Sequence, residues 1–396
     1  MKKILILGAG VYQVPLIKKA REMNLYTIVA SIPGNYPGFD LADKVYYTDT
    51  TDVEKLLEIS RSENIDGIVT TGTDVAVEAV GRINDALELR GCSYEAARRA
   101  CNKYIMKDAF MSHNVPTAVY HIAAISASLD NVEDICTSIG YPVIFKALDS
   151  SGSRGITVVK SRDDITRAIE AVRNVTRLSE YIIEKYLVGE EFGAQAFIQD
   201  GRIEFVLPHG DYVFQGDTGV PIGHYAPLSH IDNDDVMKAT EAAIKALEID
   251  NCAVNMDFIL ADGKIYVLEL GARCGATQLA ELVSIYYGFN YYEKILDVAV
   301  GVKTIFDTGL AKTPNASHLL LSDTTGVITD IKNNASSIEG VDEIQFDYKI
   351  GDRVRKFHVG PDRIGHVITH GATLKDAEDT LDRAMKSIDI SVREET

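Results

Sequence analysis

The chain has 396 residues, 46% of them apolar and 25% charged, with a formal net charge of −18. That length exceeds one ordinary hydrophobic core and implies two to four packed units. It contains no apolar run of about 18 residues to span a bilayer, and a chain this acidic has no general attraction for nucleic acid, so anionic ligands must be met locally by Lys, Arg and backbone amides.

The opening MKKILILGAG reads as a first strand over 4–7 running into Gly8–Gly10, because the apolar run is too short for a signal peptide. A helix follows from Gln13 to about Met23, then strands near 26–31 and 44–48, a helix over 52–61 and a strand over 66–70. Strands alternating with 3.6-period helices predict a parallel sheet covered on both faces. The strand–glycine–helix start resembles a dinucleotide site, yet GAGVYQ lacks the third glycine of that fingerprint, which favours a plain tight turn over an NAD-dependent oxidoreductase. Asp74, after Thr71–Gly72–Thr73, is expected to cap the next helix.

Residues 96–112 read as one helix, broken by Val115–Pro116–Thr117. Residues 118–188 give strand, helix, strand, glycine-rich turn, strand, helix and strand, a small α+β unit with a helix over 130–139. Beyond it, Asp200–Gly201 and Ala261–Asp262–Gly263 mark two hairpins around longer strands, with helices over 233–247, 277–286 and 291–300. The last 96 residues carry short strands, turns at Gly351–Asp352 and Gly360–Pro361, and a helix over 374–387. The five cysteines, Cys92, Cys101, Cys136, Cys252 and Cys274, form neither a zinc pattern nor a disulfide framework, and a reducing cytoplasm is their simplest home.

Three features in fixed order carry chemistry. The first is Lys146 followed by a small-residue loop, Ser150, Ser151, Gly152, Ser153, Arg154 and Gly155. Its glycines let the backbone curl around a phosphate chain while Lys146 and Arg154 supply charge, although a simple hairpin would also account for it. The second is Glu184–Lys185–Tyr186–Leu187, where a strand end offers main-chain groups to a purine edge. Glu191, seven residues after Glu184, suits ribose hydroxyls, although a solvated acidic turn would also fit. The third is Asp257 on one hairpin strand and Glu269 on the next, in apolar surroundings. Two such carboxylates repel, and a divalent cation relieves the cost; pairing with Arg273 is the plainer alternative.

With NKYIMKDAF, YPVIFKALDSSGSRG, YIIEKYLVGEEF, AVNMDFIL and VLELGARCGA in this order, the sequence resembles the ATP-grasp superfamily, and more narrowly its carboxylate–amine or amino-acid ligases. The resemblance implies an ATP-grasp fold of mixed α/β and α+β units with an N-terminal Rossmann-like parallel-sheet domain. Its implied domains are 1–100, a linker helix and lid over 101–189, a central unit over 190–305, and an accessory domain over 306–396. It implies that Lys103 and Lys146 touch ATP phosphates under a mobile loop from Ser151 to Gly155. Glu184 to Leu187 would read adenine, Glu191 ribose, and Asp257 and Glu269 would hold Mg2+, with Mn2+ as an alternative. Arg273 would steady the transferring phosphoryl group. The expected partners are a small carboxylate and an amine, one of them an amino acid; a homodimer is compatible with the resemblance.

The family pattern places an asparagine two residues after the second metal carboxylate, where this chain has Gly271. One oxygen ligand is thereby lost, and water or a second carboxylate oxygen could replace it. His209, His224 and His230 lie in a Gly- and Pro-containing stretch expected to be a loop near the cleft, with His224 the candidate for substrate contact or proton removal and Tyr225 beside it. Cys274 is expected to pack rather than react. The alternatives are a carboxylase or carbamoyl-phosphate-synthase-like enzyme on the same nucleotide half, and a non-catalytic nucleotide-binding protein.

Overall fold

The computed structural model describes residues 1–149, 155–216, 219–309 and 312–394. The N-terminal unit follows the alternation read from the sequence: β1 (Lys3–Leu7), α1 (Val14–Glu22), β2 (Tyr26–Ser31), β3 (Lys44–Tyr47), α2 (Val53–Glu63), β4 (Gly67–Val69) and α3 (Val77–Leu87). The four strands pair in parallel in the order β3-β2-β1-β4. Ile4, Leu5, Ile6 and Leu7 are all fully buried, as a strand covered on both faces requires. In the glycine turn after β1, the Gly10 N–H donates to the Gln13 side chain at 3.0 Å. That amide is used inside the turn, in keeping with a structural role for it.

The helix expected over 96–112 is two helices, α4 (Tyr94–Cys101) and α5 (Lys103–Ser112). Asn102 breaks them. Its backbone is extended, and its side chain accepts from the Tyr104 and Ile105 N–H groups, capping α5. The cap sets Lys103 as the first residue of α5.

The next unit comprises β5 (Tyr120–Ala124), α6 (Leu129–Ile139), β6 (Val143–Ala147), β7 (Thr157–Val159), α7 (Ile165–Arg173) and β8 (Glu180–Lys185). Its strands run β5-β8-β6-β7, all antiparallel, with both helices packed on a private core around Phe145 and Tyr181.

The remaining elements are β9 (Glu190–Gln199), β10 (Arg202–Val213), β11 (Pro221–Ala226), α8 (Asn233–Leu247), β12 (Cys252–Ala261), β13 (Lys264–Gly271), α9 (Leu279–Tyr287), α10 (Tyr291–Ala299), β14 (Asn315–Leu320), β15 (Gly326–Asn333), β16 (Val341–Phe346), β17 (Arg353–Val354), β18 (Gly365–His370), α11 (Leu374–Lys386) and β19 (Ile388–Glu394). An eight-stranded sheet runs β13-β12-β9-β10-β11-β14-β18-β16, continuous across residues 305 and 306, and a three-stranded sheet runs β17-β15-β19. Both hairpin turns adopt left-handed backbone at two residues, Asp200–Gly201 and Asp262–Gly263, so the second turn is one residue shorter than expected, with Ala261 paired to Lys264. The segment just after β13 meets the N-terminal unit directly: the Gly72 N–H donates to the Cys274 carbonyl at 3.0 Å. Among the described residues no helix is long and apolar enough to cross a membrane.

Candidate functional site

Asp257 and Glu269 are direct partners across the β12–β13 ladder. Antiparallel pairing sends opposed side chains to the same face, so the two carboxylates stand side by side. Burial of the surroundings and the neighbouring Glu269 push the Asp257 carboxyl up to about 7. Lys103 reaches Glu269 from the start of α5 and forms an ion pair with it. Burial works against the lysine's charge, yet Glu269 prevails and holds the ammonium above its ordinary value. The pair is therefore a site of concentrated negative charge that one lysine only partly offsets, a donor set suited to a divalent cation.

Arg273 does not pair with either carboxylate. Its partner is Asp74 of the N-terminal unit, with Nε 2.8 Å from Oδ1 and Nη2 donating to Oδ2 at 2.9 Å. This corrects the capping expectation for Asp74: Ala76 occupies the cap position of α3 and no side chain caps it. The Arg273 Nη1 is buried and has no partner among the described residues. The Nε is likewise buried without a hydrogen-bond partner among the described residues despite its ion-pair distance to Asp74, so Nη2 alone is hydrogen-bonded and the guanidinium keeps donor capacity suited to an anion.

Gly271 has a local reason. A Cβ there would lie 2.9 Å from Asp74 Oδ1 and 3.3 Å from Arg273 Cζ. The glycine leaves room for this ion pair. Asn255 stands opposite Gly271, but its oxygen accepts from Gln195 at 2.5 Å and is held in that bond.

Lys146 lies on β6, facing Glu184 on β8 at 3.2 Å. Glu184 is 1% exposed, and Lys107 approaches the same carboxylate oxygen at 3.3 Å. Burial alone would raise its pKa, but the two ammonium groups hold it below the usual carboxylate value. Lys107 also donates to Thr117 Oγ1 at 2.5 Å, which donates to the Val267 carbonyl on β13 at 2.8 Å. A buried polar chain thus links the β5–β8 unit to the strand bearing Glu269. The Glu184 side chain is turned into this network, leaving any purine contact to main chain. There, the Lys185 and Tyr186 N–H groups already bond to the Val119 and Pro142 carbonyls, Leu187 follows in the connection to β9, and Glu191 sits on β9 opposite Ile259. Ser151, Gly152, Ser153 and Arg154 lie outside the described residues; Gly155 has φ +70°.

The histidine stretch is not the loop the sequence suggests. His209 is on β10 and His224 on β11, both buried, whereas His230 is exposed and bonds Glu190 at 2.6 Å. Gly210, Pro221 and Gly223 occupy strand positions, Gly216 and Gly219 the connection between these strands, and Pro227 follows β11. Both His209 and His224 bond one oxygen of Asp211. Cys274 is buried and its thiol is pushed far up by burial, which fits packing.

Lys107, Asp211 and Gly193 escape the sequence reading, which takes Asp74 only as a helix cap. Lys107 had a signal: it follows Lys103 by one helical turn on the same face. Asp211 follows His209 by the strand period. Asp74 had none, because its partner lies 199 residues away.

The carboxylate pair, the basic residues above it and the two flanking α/β units define an ATP-grasp enzyme. An ATP-grasp domain family model matches residues 100–277, and the model for L-amino acid ligase C-terminal domain 2 matches residues 318–393. Phosphoribosylglycinamide synthetase from Anaerococcus prevotii superposes with a TM-score of 0.85 at 32% identity, over 99% of this chain and 100% of that one. L-amino acid ligase from Bacillus licheniformis shares the fold with a TM-score of 0.81 at 18% identity, over 99% of each chain. A phosphoribosylamine–glycine ligase from Chlorobaculum tepidum is 24% identical over 98% of this chain and 96% of its own length. The chain belongs to the ATP-grasp superfamily, in its carboxylate–amine ligase branch. It is an ADP-forming carbon–nitrogen ligase working through an acyl phosphate.

Proposed function

We propose that the protein activates the carboxylate of an amino acid with ATP and joins it to an amine, with Asp257 and Glu269 as metal ligands. The observation that carries this reading is their direct opposition across the ladder, with Lys103 paired to Glu269. Mg2+, or Mn2+ in its place, would be held there and would supply charge neutralisation for the outer phosphates. Lys103 and Lys146 would bind phosphate oxygens; each is now paired with a carboxylate that must share it. The 151–155 loop would close over the phosphates, Glu184 to Leu187 would position the base through main chain, and Glu191 would hold the ribose. Arg273, braced by Asp74, would orient the acyl phosphate through its unpartnered donors Nε and Nη1. His224 would take a proton from the amine.

Two relatives favour different amines. The name of the Chlorobaculum tepidum relative specifies glycine as carboxylate and phosphoribosylamine as amine. The L-amino acid ligase match over 318–393 favours a second amino acid. Purified protein with MgATP should release ADP when given amino acids alone in pairs, or glycine with phosphoribosylamine, with products weighed by mass spectrometry. ADP release with neither set, and with bicarbonate instead, would move the protein to the carboxylase reading.

A further inference from the structure

The acidic hairpin and the histidines occupy one face of the large sheet. Asp257 is flanked by Glu269 on β13 and by Gly193 on β9, and Gly193 is paired with His209 on β10. Glu269, Asp257, Gly193 and His209 thus form one cross-strand row. Strand spacing alone would set His209 about 10 Å from Asp257. The imidazole closes part of that gap by leaning over β9: a Cβ at Gly193 would lie 2.2 Å from His209 Cε1 and 2.5 Å from Nε2. Only glycine leaves space for the ring. Asp211, two residues on from His209, shares its face and is the register partner of His224 on β11.

Asp211 Oδ1 lies 3.0 Å from His209 Nδ1 and 2.6 Å from His224 Nδ1. An ionised carboxylate only accepts, so each ring must place its hydrogen on Nδ1. Both Nε2 atoms then present lone pairs. Both are buried and without partner among the described residues. Burial also keeps His224 below its ordinary pKa against the pull of Asp211. Two buried acceptors without partners, His209 in the same cross-strand row as Asp257 and Glu269, call for a donor.

We infer that Asp211 is a positioning residue that locks His209 and His224 as a pair of Nε2 acceptors for the ammonium group of the incoming amine, one of which removes its proton. This deepens, and rests on, the ligase reading. The amine arrives as R–NH3+. One proton passes to an imidazole Nε2, leaving the nitrogen lone pair free. That pair attacks the acyl carbon, the C–N bond forms, and the C–O bond to phosphate breaks with its electrons on oxygen. The second amine proton leaves with inorganic phosphate, and the imidazolium returns its proton to solvent.

Hydroxylamine separates this step from activation, since it is already an uncharged nucleophile at pH 7.5 and needs no proton removed before attack. Full-length protein with MgATP and each amino-acid carboxylate is assayed for hydroxamate with hydroxylamine, and for amide with α-amino acids as amines. His224→Gln, His209→Gln and Asp211→Ala are compared with the parent after equal thermal protection by MgATP confirms folding. The ratio of amide to hydroxamate falls about 100-fold in His224→Gln or His209→Gln, the size expected for a lost proton acceptor, and falls also in Asp211→Ala. A ratio unchanged in all three variants overturns the inference, as does a parent protein that forms hydroxamate yet joins no ammonium-form amine. A parent that forms neither hydroxamate nor ADP with any carboxylate refutes the ligase reading itself.

Discussion

Replacing Lys107 by Met tests whether the buried chain from α5 to β13 organises Lys146, the proposed phosphate ligand. Lys107 and Glu184 side chains are each 2% exposed and 3.3 Å apart. At an effective dielectric of about 20 their attraction is about 5 kcal/mol. Removing one member of a buried pair costs about 3–5 kcal/mol because the other charge is stranded. Glu184 retains Lys146 at 3.2 Å, so the lower end, about 3 kcal/mol, is expected. Lys107→Met/Glu184→Leu removes both charges and should recover much of that loss. It should not recover ATP binding, because Lys146 no longer has the carboxylate that aims it. Urea unfolding followed by tyrosine fluorescence suits a chain with 19 tyrosines and no tryptophan. ATP affinity is measured in parallel by isothermal titration. A Lys107→Met loss under about 1 kcal/mol would place this pair in the range of solvent-screened ion pairs and refute the argument. So would a double variant as unstable as the sum of its single changes.

Further outcomes follow from the same geometry. Glu269→Gln should abolish thermal protection by MgATP and cut ADP release by about a thousandfold or more, since positioning and electrostatics supply nearly all of phosphoryl-transfer catalysis; unaltered protection would remove Glu269 from the metal site. Gly271→Asn, although it restores the family pattern, should lower ADP release rather than raise it, because its Cβ enters the Asp74–Arg273 ion pair at 2.9 Å; a gain in rate would show that the missing oxygen matters more than the pair. Burial holds His224 below its ordinary pKa. Below about pH 6.5 the unfolded chain therefore binds a proton that the folded chain refuses, and stability present above that pH declines as pH falls through it. Asp211, held low by the two histidines against burial, adds stability that is lost only in more acid solution, below the ordinary carboxylate range. Melting temperature should fall between pH 7 and 5 in the parent and less steeply in His224→Gln; identical slopes would contradict a buried neutral imidazole.

Local chemistry was legible in the sequence. The alternation of strands and helices, the two hairpin turns, the α8 span and the Asp257/Glu269 opposition all follow from periodicity, turn residues and short-range pairing, which act over a few residues. The break at Asn102 was not read, because an extended cap inside a helical pattern looks like one more helical residue until its side chain is seen on the next amides. What the tertiary structure alone decided is who partners whom across long separations. Arg273 found Asp74 and not Asp257 or Glu269; Glu184 turned inward to Lys107 and Lys146; Asp211 gathered two histidines that composition had assigned to a loop. Charges are selective only through distance and desolvation, and both are set by packing among strands and helices far apart in the chain. Sequence spacing fixes which face a side chain takes, whereas the fold fixes what that face meets.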